Sequence, residues 1–184
     1  MFVLKAVLVV LVVFIGSLNS PDYKQPVSLG TTWKIYDVSD STGVYFQYIV
    51  YSQSGEILNE EVIVNSCPEI SNLDNNIVQI NIPSGNTAYS TFYDTANSIQ
   101  SREYQNVIYA NGKFVLYTDL RDNKWFIVKS ALFDNSSIQE YPIDLAGVTG
   151  RIESIRMKED DMGCWVNYIG YDYIAKTKYF SWEE

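Results

Sequence analysis

Three glutamates recur at matching places in this 184-residue chain: Glu60, Glu103 and Glu140 each follow an aromatic residue and a polar turn. Two carboxylates suffice to hydrolyse a glycosidic bond, one as acid and the other as base or nucleophile. Composition excludes most other catalytic chemistry. The chain has no histidine, which removes Ser-His-Asp and Cys-His nucleophile systems, His-ligated zinc and any imidazole pH switch. Its formal charge is −9, a sign that repels phosphate, so nucleic acid is not an expected partner. Recurrence itself argues against catalysis by the glutamates. A charge repeated at equivalent positions suits the blunting of outer strand edges. No residue is therefore singled out as catalytic. A small carboxylate-dependent glycoside hydrolase is the alternative to a non-enzymatic binding domain.

Other candidate groups reduce to turn chemistry. Glu159-Asp160-Asp161 and Asp74-Asn75-Asn76 lack the ligand spacing of a calcium loop, and Asp and Asn at such places hydrogen-bond their own backbone. No metal-binding or cofactor-binding residue is expected. The stretch SDSTGVYF (Ser39–Phe46) resembles the Asp-box turn of sialidase-like propellers, with Ser41 where that motif has Asp. A sialic acid carboxylate would also need convergent guanidinium forks. Only Arg102, Arg121, Arg151 and Arg156 are present, mostly in polar strands or turns. Four Trp and fifteen Tyr could supply a binding surface of flat, amphipathic rings. Trp125 and Trp165 lie inside apolar runs and are expected to fill interfaces between sheets. Trp182, near the C-terminus, is expected to be the most exposed of the four.

The elements that must position these groups come from an internal repeat. TFYDTANSIQSREY (Thr91–Tyr104) returns as ALFDNSSIQEY (Ala131–Tyr141), and IVYSQSGEILNEE (Ile49–Glu61) follows the same plan. The marker aromatics Tyr51, Tyr93 and Phe133 stand 42 and 40 residues apart. Between markers the chain resolves into four short strands per unit, rich in Val, Ile and Tyr and separated by polar turns. The third unit reads NVIYA, the hairpin pair Asn111-Gly112, KFVLYTDL, a turn, WFIVKSALF, a turn, and IQEYPI. Strands such as VYFQYIVY and KFVLYTDL are apolar at nearly every position, as strands buried on both faces are. The last strand of each unit is mixed, as an outer strand would be. The expected fold is all-β, in antiparallel four-stranded repeats forming a small or incomplete propeller-like array, with a barrel or sandwich as alternatives. The first unit appears one strand short at its start and the last one strand short at its end. Tyr23–Leu29 is expected to pair with Tyr173–Phe180 and fasten the two ends.

The run from Ser90 to Leu120, STFYDTANSIQSREYQNVIYANGKFVLYTDL, resembles small uncharacterised exported bacterial proteins with Tyr-rich β-hairpin repeats, a family without an assigned activity. The likeness covers Val44 to Phe133 and implies export and fold only. Some members carry a lipid-anchoring Cys, which this chain lacks.

The N-terminus agrees with export. Lys5 precedes an unbroken apolar run from Ala6 to Ile15 and then small and polar residues, the layout of a signal peptide. Residues 1–20 are read as a signal peptide, cleaved after Ser17 or Ser20, or as a retained N-terminal anchor at the lower limit of spanning length. Residues 21–184 form a single all-β domain. Membrane contact is expected only through an uncleaved leader, and the expected partner is an extracellular protein, peptide or glycan. Cys67 and Cys164 could close one disulfide in an oxidising compartment or remain free thiols.

Overall fold

A computed structural model describes residues 25–74, 76–134, 137–146 and 152–182. The leader at residues 1–20 and Arg151 lie outside the described residues. Those described form strands and turns, with no helix among them. The first sheet is a meander of β1 (Ser28–Leu29), β2 (Trp33–Asp37), β3 (Tyr45–Tyr51) and β4 (Ile57–Val64). The second contains β5 (Glu69–Asn72), β6 (Ile77–Ser84), β7 (Thr87–Asp94) and β8 (Ile99–Gln100), with β9 (Tyr104–Gln105) pairing elsewhere on β7. The third runs β10 (Val107–Ala110), β11 (Phe114–Arg121), β12 (Lys124–Ala131) and β13 (Ile138–Ile143). The fourth has three strands, β14 (Ile152–Met157), β15 (Gly163–Ile169) and β16 (Ala175–Ser181). Each sequence repeat is thus one antiparallel sheet, and none closes into a barrel.

The sheets stack face to face in chain order. Ile35, Tyr48 and Val50 of the first meet Val78, Ile80 and Tyr93 of the second. Ile77, Phe92 and Tyr104 of the second meet Val115 of the third, with Leu132 just beyond β12. Leu116, Trp125 and Ile127 of the third meet Cys164, Val166 and Phe180 of the fourth. Side chains alternate across a strand. Neighbours Val115 and Leu116 on β11 therefore enter opposite cores, and both are 0% exposed. This explains why the middle strands are apolar at almost every position. Among the described residues no core joins the fourth sheet to the first. The result is an open, propeller-like stack.

The three marker aromatics lie near the end of the third strand of their sheets but at different register positions: Tyr93 pairs with Val78 inside its ladder, Tyr51 sits at a bulge, and Phe133 lies beyond its ladder. Tyr51 ends β3, Tyr93 lies at the end of β7 and Phe133 follows β12, each on the third strand of its sheet or just past it. Tyr93 packs toward the first sheet and Phe133 toward the second. Tyr51 lies with Lys34 on the first sheet's outer face, where the Lys34 ammonium sits 5.3 Å from its ring centroid.

Turn chemistry differs from the sequence expectation at one hairpin. At Asn111-Gly112 the turn forms, but neither residue is among those with positive φ. Asn111 Oδ1 instead accepts from the backbone N–H groups of Lys113 and Phe114. Gly112 is needed for space, because a Cβ there would stand 2.5 Å from Asp74 Oδ2. The two-residue hairpin turn with both φ values positive is Asp122-Asn123, at 50° and 59°, whose twist suits the flanking strands.

The chain ends also correct the expectation. Ser28 and Leu29 pair with Ile35 and Lys34 of β2, so the first sheet has its own first strand. The segment Tyr23–Leu29 does not fasten β16 through these residues, and Tyr23–Lys24 lie outside the described residues. The reason is local. A turn of a few residues joins β1 to β2, and closing so short a loop costs far less entropy than spanning the stack. Gly30 permits that turn: the Trp33 indole passes where a Cβ would stand, and the Gly30 N–H donates to the Trp33 carbonyl at 2.9 Å.

Candidate binding surface

Alternation on the fourth sheet decides which of its side chains can meet a partner. Cys164, Val166, Tyr168 and Phe180 point into the core shared with the third sheet. The intervening residues point outward, where no described element covers them. Cross-strand register arranges them in two rows: Arg156, Trp165 and Tyr179 lie opposite one another, as do Ser154, Asn167 and Thr177.

In the first row the rings of Trp165 and Tyr179 lie 4.8 Å apart at 45°. Trp165 is 41% exposed and Tyr179 37%. Gly163 makes room for this pair, since a Cβ there would fall 2.4 Å from Tyr179 Oη. In the second row Asn167 Nδ2 donates to Ser154 Oγ at 2.9 Å, and Thr177 Oγ1 donates to Asn167 Oδ1 at 2.6 Å. A shallow concavity of about 470 Å³ is bounded by Ser154, Arg156, Trp165, Asn167 and Thr177. The rings offer apolar faces, the second row offers hydroxyl and amide groups, and Arg156 is an exposed donor fork at one end.

The tryptophans depart from expectation. Trp125 is buried as expected, but Trp165 faces outward and Trp182 is 1% exposed. Trp182 turns back over the stack. Its indole N–H donates to the Asp161 carbonyl, and its ring packs near Phe114 and Tyr141 of the third sheet. A tryptophan just beyond the last strand thus seals the third core.

A second concavity, about 720 Å³, lies at one end of the first two sheets, with Thr32, Lys34, Tyr51, Gln53, Asn72 and Asp74 in its walls. It is lined by turns that are stitched together. Gln53 Nε2 donates to Asn76 Oδ1, the Gln53 N–H to the Thr95 carbonyl, and Thr95 Oγ1 to the Asn76 carbonyl. Asp74 Oδ1 already accepts from the N–H groups of Asn76 and Ile77.

The three recurring glutamates remain on separate sheets. Glu60 Oε1 accepts from Gln47 Nε2 across the first sheet. Glu140 pairs with Arg121 at 2.8 Å, and Asp119 holds the same guanidinium at 2.9 Å. Glu103 is exposed between β8 and β9. Asp119 and Glu140 flank a cation that fills the space between them. Four concavities lined by described residues carry at most one carboxylate each in their walls, Asp74 in one and Asp144 in another.

Two further acidic groups serve their own turns. Asp40 Oδ1 accepts from the hydroxyl and N–H of Thr42, holding its carboxyl below the usual range. Asp160 binds Lys158 and caps the Met162 N–H, with the same effect. The cysteines are free thiols, Cys67 exposed and Cys164 buried, and burial pushes the Cys164 thiol up to about 11. No family model, no curated protein and no solved structure matches this chain.

Proposed function

We propose that this chain is an exported, non-enzymatic β-repeat domain that binds a partner outside the membrane, and that its outer face on the fourth sheet holds a glycan. The observation that carries this reading is the exposed Trp165–Tyr179 pair beside the hydrogen-bonded Ser154–Asn167–Thr177 row. A pyranose has an apolar C–H face and a rim of hydroxyls. Aromatic rings accept the former at low entropy cost, and a polar row meets the latter. Arg156, opposite Trp165, favours saccharides that carry a carboxylate, such as uronates. The leader layout and the likeness to exported bacterial proteins with Tyr-rich hairpins support the location. The reading against catalysis draws support from the four concavities lined by described residues, none of which brings two carboxylates together, because glycoside hydrolysis needs two across one cleft.

Tryptophan emission tests the binding reading. Titrating soluble neutral and uronate-containing oligosaccharides into the protein should give a saturable change that Trp165→Ala abolishes. Binding that survives this substitution, or hydrolysis of the saccharides, would overturn it. Export has its own measurement. The mature N-terminus in the native host should fall between Leu18 and Tyr23, whereas an intact Met1 would indicate a retained anchor.

A further inference from the structure

The third strand of a sheet in this protein is normally flanked on both sides. β4 covers β3, β8 and β9 cover β7, and β13 covers β12. On β16, the third strand of the fourth sheet, only the side toward β15 is paired among the described residues. The hydrogen bonds at its two ends fix which backbone groups are free. Trp182 N–H donates to the Met162 carbonyl and Gly170 N–H donates to the Ile174 carbonyl, and the register between runs without a shift. Even-numbered residues therefore bond to β15. Ala175, Thr177, Tyr179 and Ser181 turn their N–H and C=O groups outward, and all four are exposed. Seven residues without Pro or bulge present a continuous edge, guarded only by the charges of Lys176 and Lys178, and such an edge is the template that strand addition uses.

We propose that this edge receives an extended segment of another protein, which completes the fourth sheet as an antiparallel fourth strand. Its chemistry can be read from the strands that fill the same place elsewhere. β4 (ILNEEVIV) and β13 (IQEYPI) set apolar residues at both ends around a polar, acidic middle that carries Glu60, Glu61 and Glu140. β16 carries Lys176 and Lys178 and no acid. Asp144 and Asp172 hold Lys176. Lys178 reaches only the Pro142 carbonyl and the face of Phe180, with no carboxylate partner among the described residues. An acidic-apolar strand meets that charge. A second copy of β16 does not, because full antiparallel overlap sets Lys178 against its own mate, and like charges directly opposite are destabilising. This inference stands apart from the glycan reading, since it uses backbone groups at the sheet edge, not side chains on its face.

The probe is a synthetic peptide of residues 56–64, EILNEEVIV, capped at both ends, with amide hydrogen exchange as the readout. The peptide should slow exchange at Thr177, Tyr179 and Ser181 at least tenfold. Thr177→Pro, which removes an outward N–H and leaves the backbone bonds to β15 intact, should abolish that protection, and Thr177→Val, which loses the same hydroxyl bond to Asn167 but keeps the N–H, should retain it. A version of the peptide methylated on alternate backbone nitrogens tests the same pairing with the protein unaltered, and should give no protection. Unchanged exchange with the unmodified peptide would overturn the proposal, as would equal protection from the methylated one. Slow exchange at these amides in the free monomer, or a dimer in sedimentation that Thr177→Pro dissolves, would assign the edge to the chain itself or to a second copy and would also overturn it.

Discussion

The Tyr104 hydroxyl on β9 lies 3.0 Å from the Leu132 carbonyl and 3.1 Å from that of Ala131, in the next sheet. Tyr104 is the last residue of the repeated phrase. Its counterpart in the second copy, Tyr141 on β13, also reaches the following sheet, packing against Phe180 at 5.9 Å and Trp182 at 6.2 Å. In these two units the phrase ends on a long ring with a polar tip that docks the outer edge on the next sheet.

Tyr104→Phe should cost about 1 kcal/mol, because it removes a hydrogen bond and keeps the ring. Tyr104→Ala should cost about 3–5 kcal/mol through lost packing against Phe92 and Tyr117. Urea denaturation at neutral pH measures both. Equal losses from the two substitutions would contradict this division.

Trp182→Ala should be as severe as a central core substitution, about 3–5 kcal/mol, although it is the third-last residue of the sequence. Thermal denaturation would show it. A melting temperature close to that of the wild type would mean that the third core does not depend on this ring.

Acid should weaken the link between the third and fourth sheets. Lys176 and the Tyr168 hydroxyl hold Asp144, in that order of effect, below its usual range. A carboxyl depressed on folding contributes stability that is present above the unfolded value of about 3.9 and is lost as pH falls through the folded one. Asp144→Asn should therefore be less stable than wild type at pH 6, with the gap closing below about pH 4. A gap of constant size across that range would contradict the assignment.

Thiol labelling separates the two cysteines. In native buffer without reductant a maleimide should modify Cys67 alone, because Cys164 is 0% exposed and its thiol is pushed up by burial. In denaturant it should modify both. No labelling in denaturant until a reductant is added would reveal a disulfide.

The sheet boundaries were legible in the sequence because each turn carries Asx or Gly chemistry and each strand its β-branched and aromatic residues. Asp94, for example, caps the N–H groups of Ala96 and Asn97 just where the repeat suggests a turn. β1 was not legible, because two residues, Ser28 and Leu29, carry no periodicity. The exposed aromatic face was hidden for a different reason. In GCWVNYI, Trp165 looks like any aromatic within a buried strand. Only the position of its sheet at the end of the open stack leaves one face without a neighbour among the described residues. The burial of Trp182 is not legible in the sequence, because proximity to a terminus says nothing about the direction a ring takes.

The central claim is that Trp165 and Tyr179 form the contact face for a glycan, and the indole N–H resonances test it most directly. The four tryptophans give four such signals. On titration with a uronate-containing oligosaccharide, the Trp165 signal should move progressively and saturate, while those of buried Trp125 and Trp182 and of Trp33 stay in place. Four unmoved indole signals, or shifts confined to residues around Lys34 and Tyr51, would contradict the account.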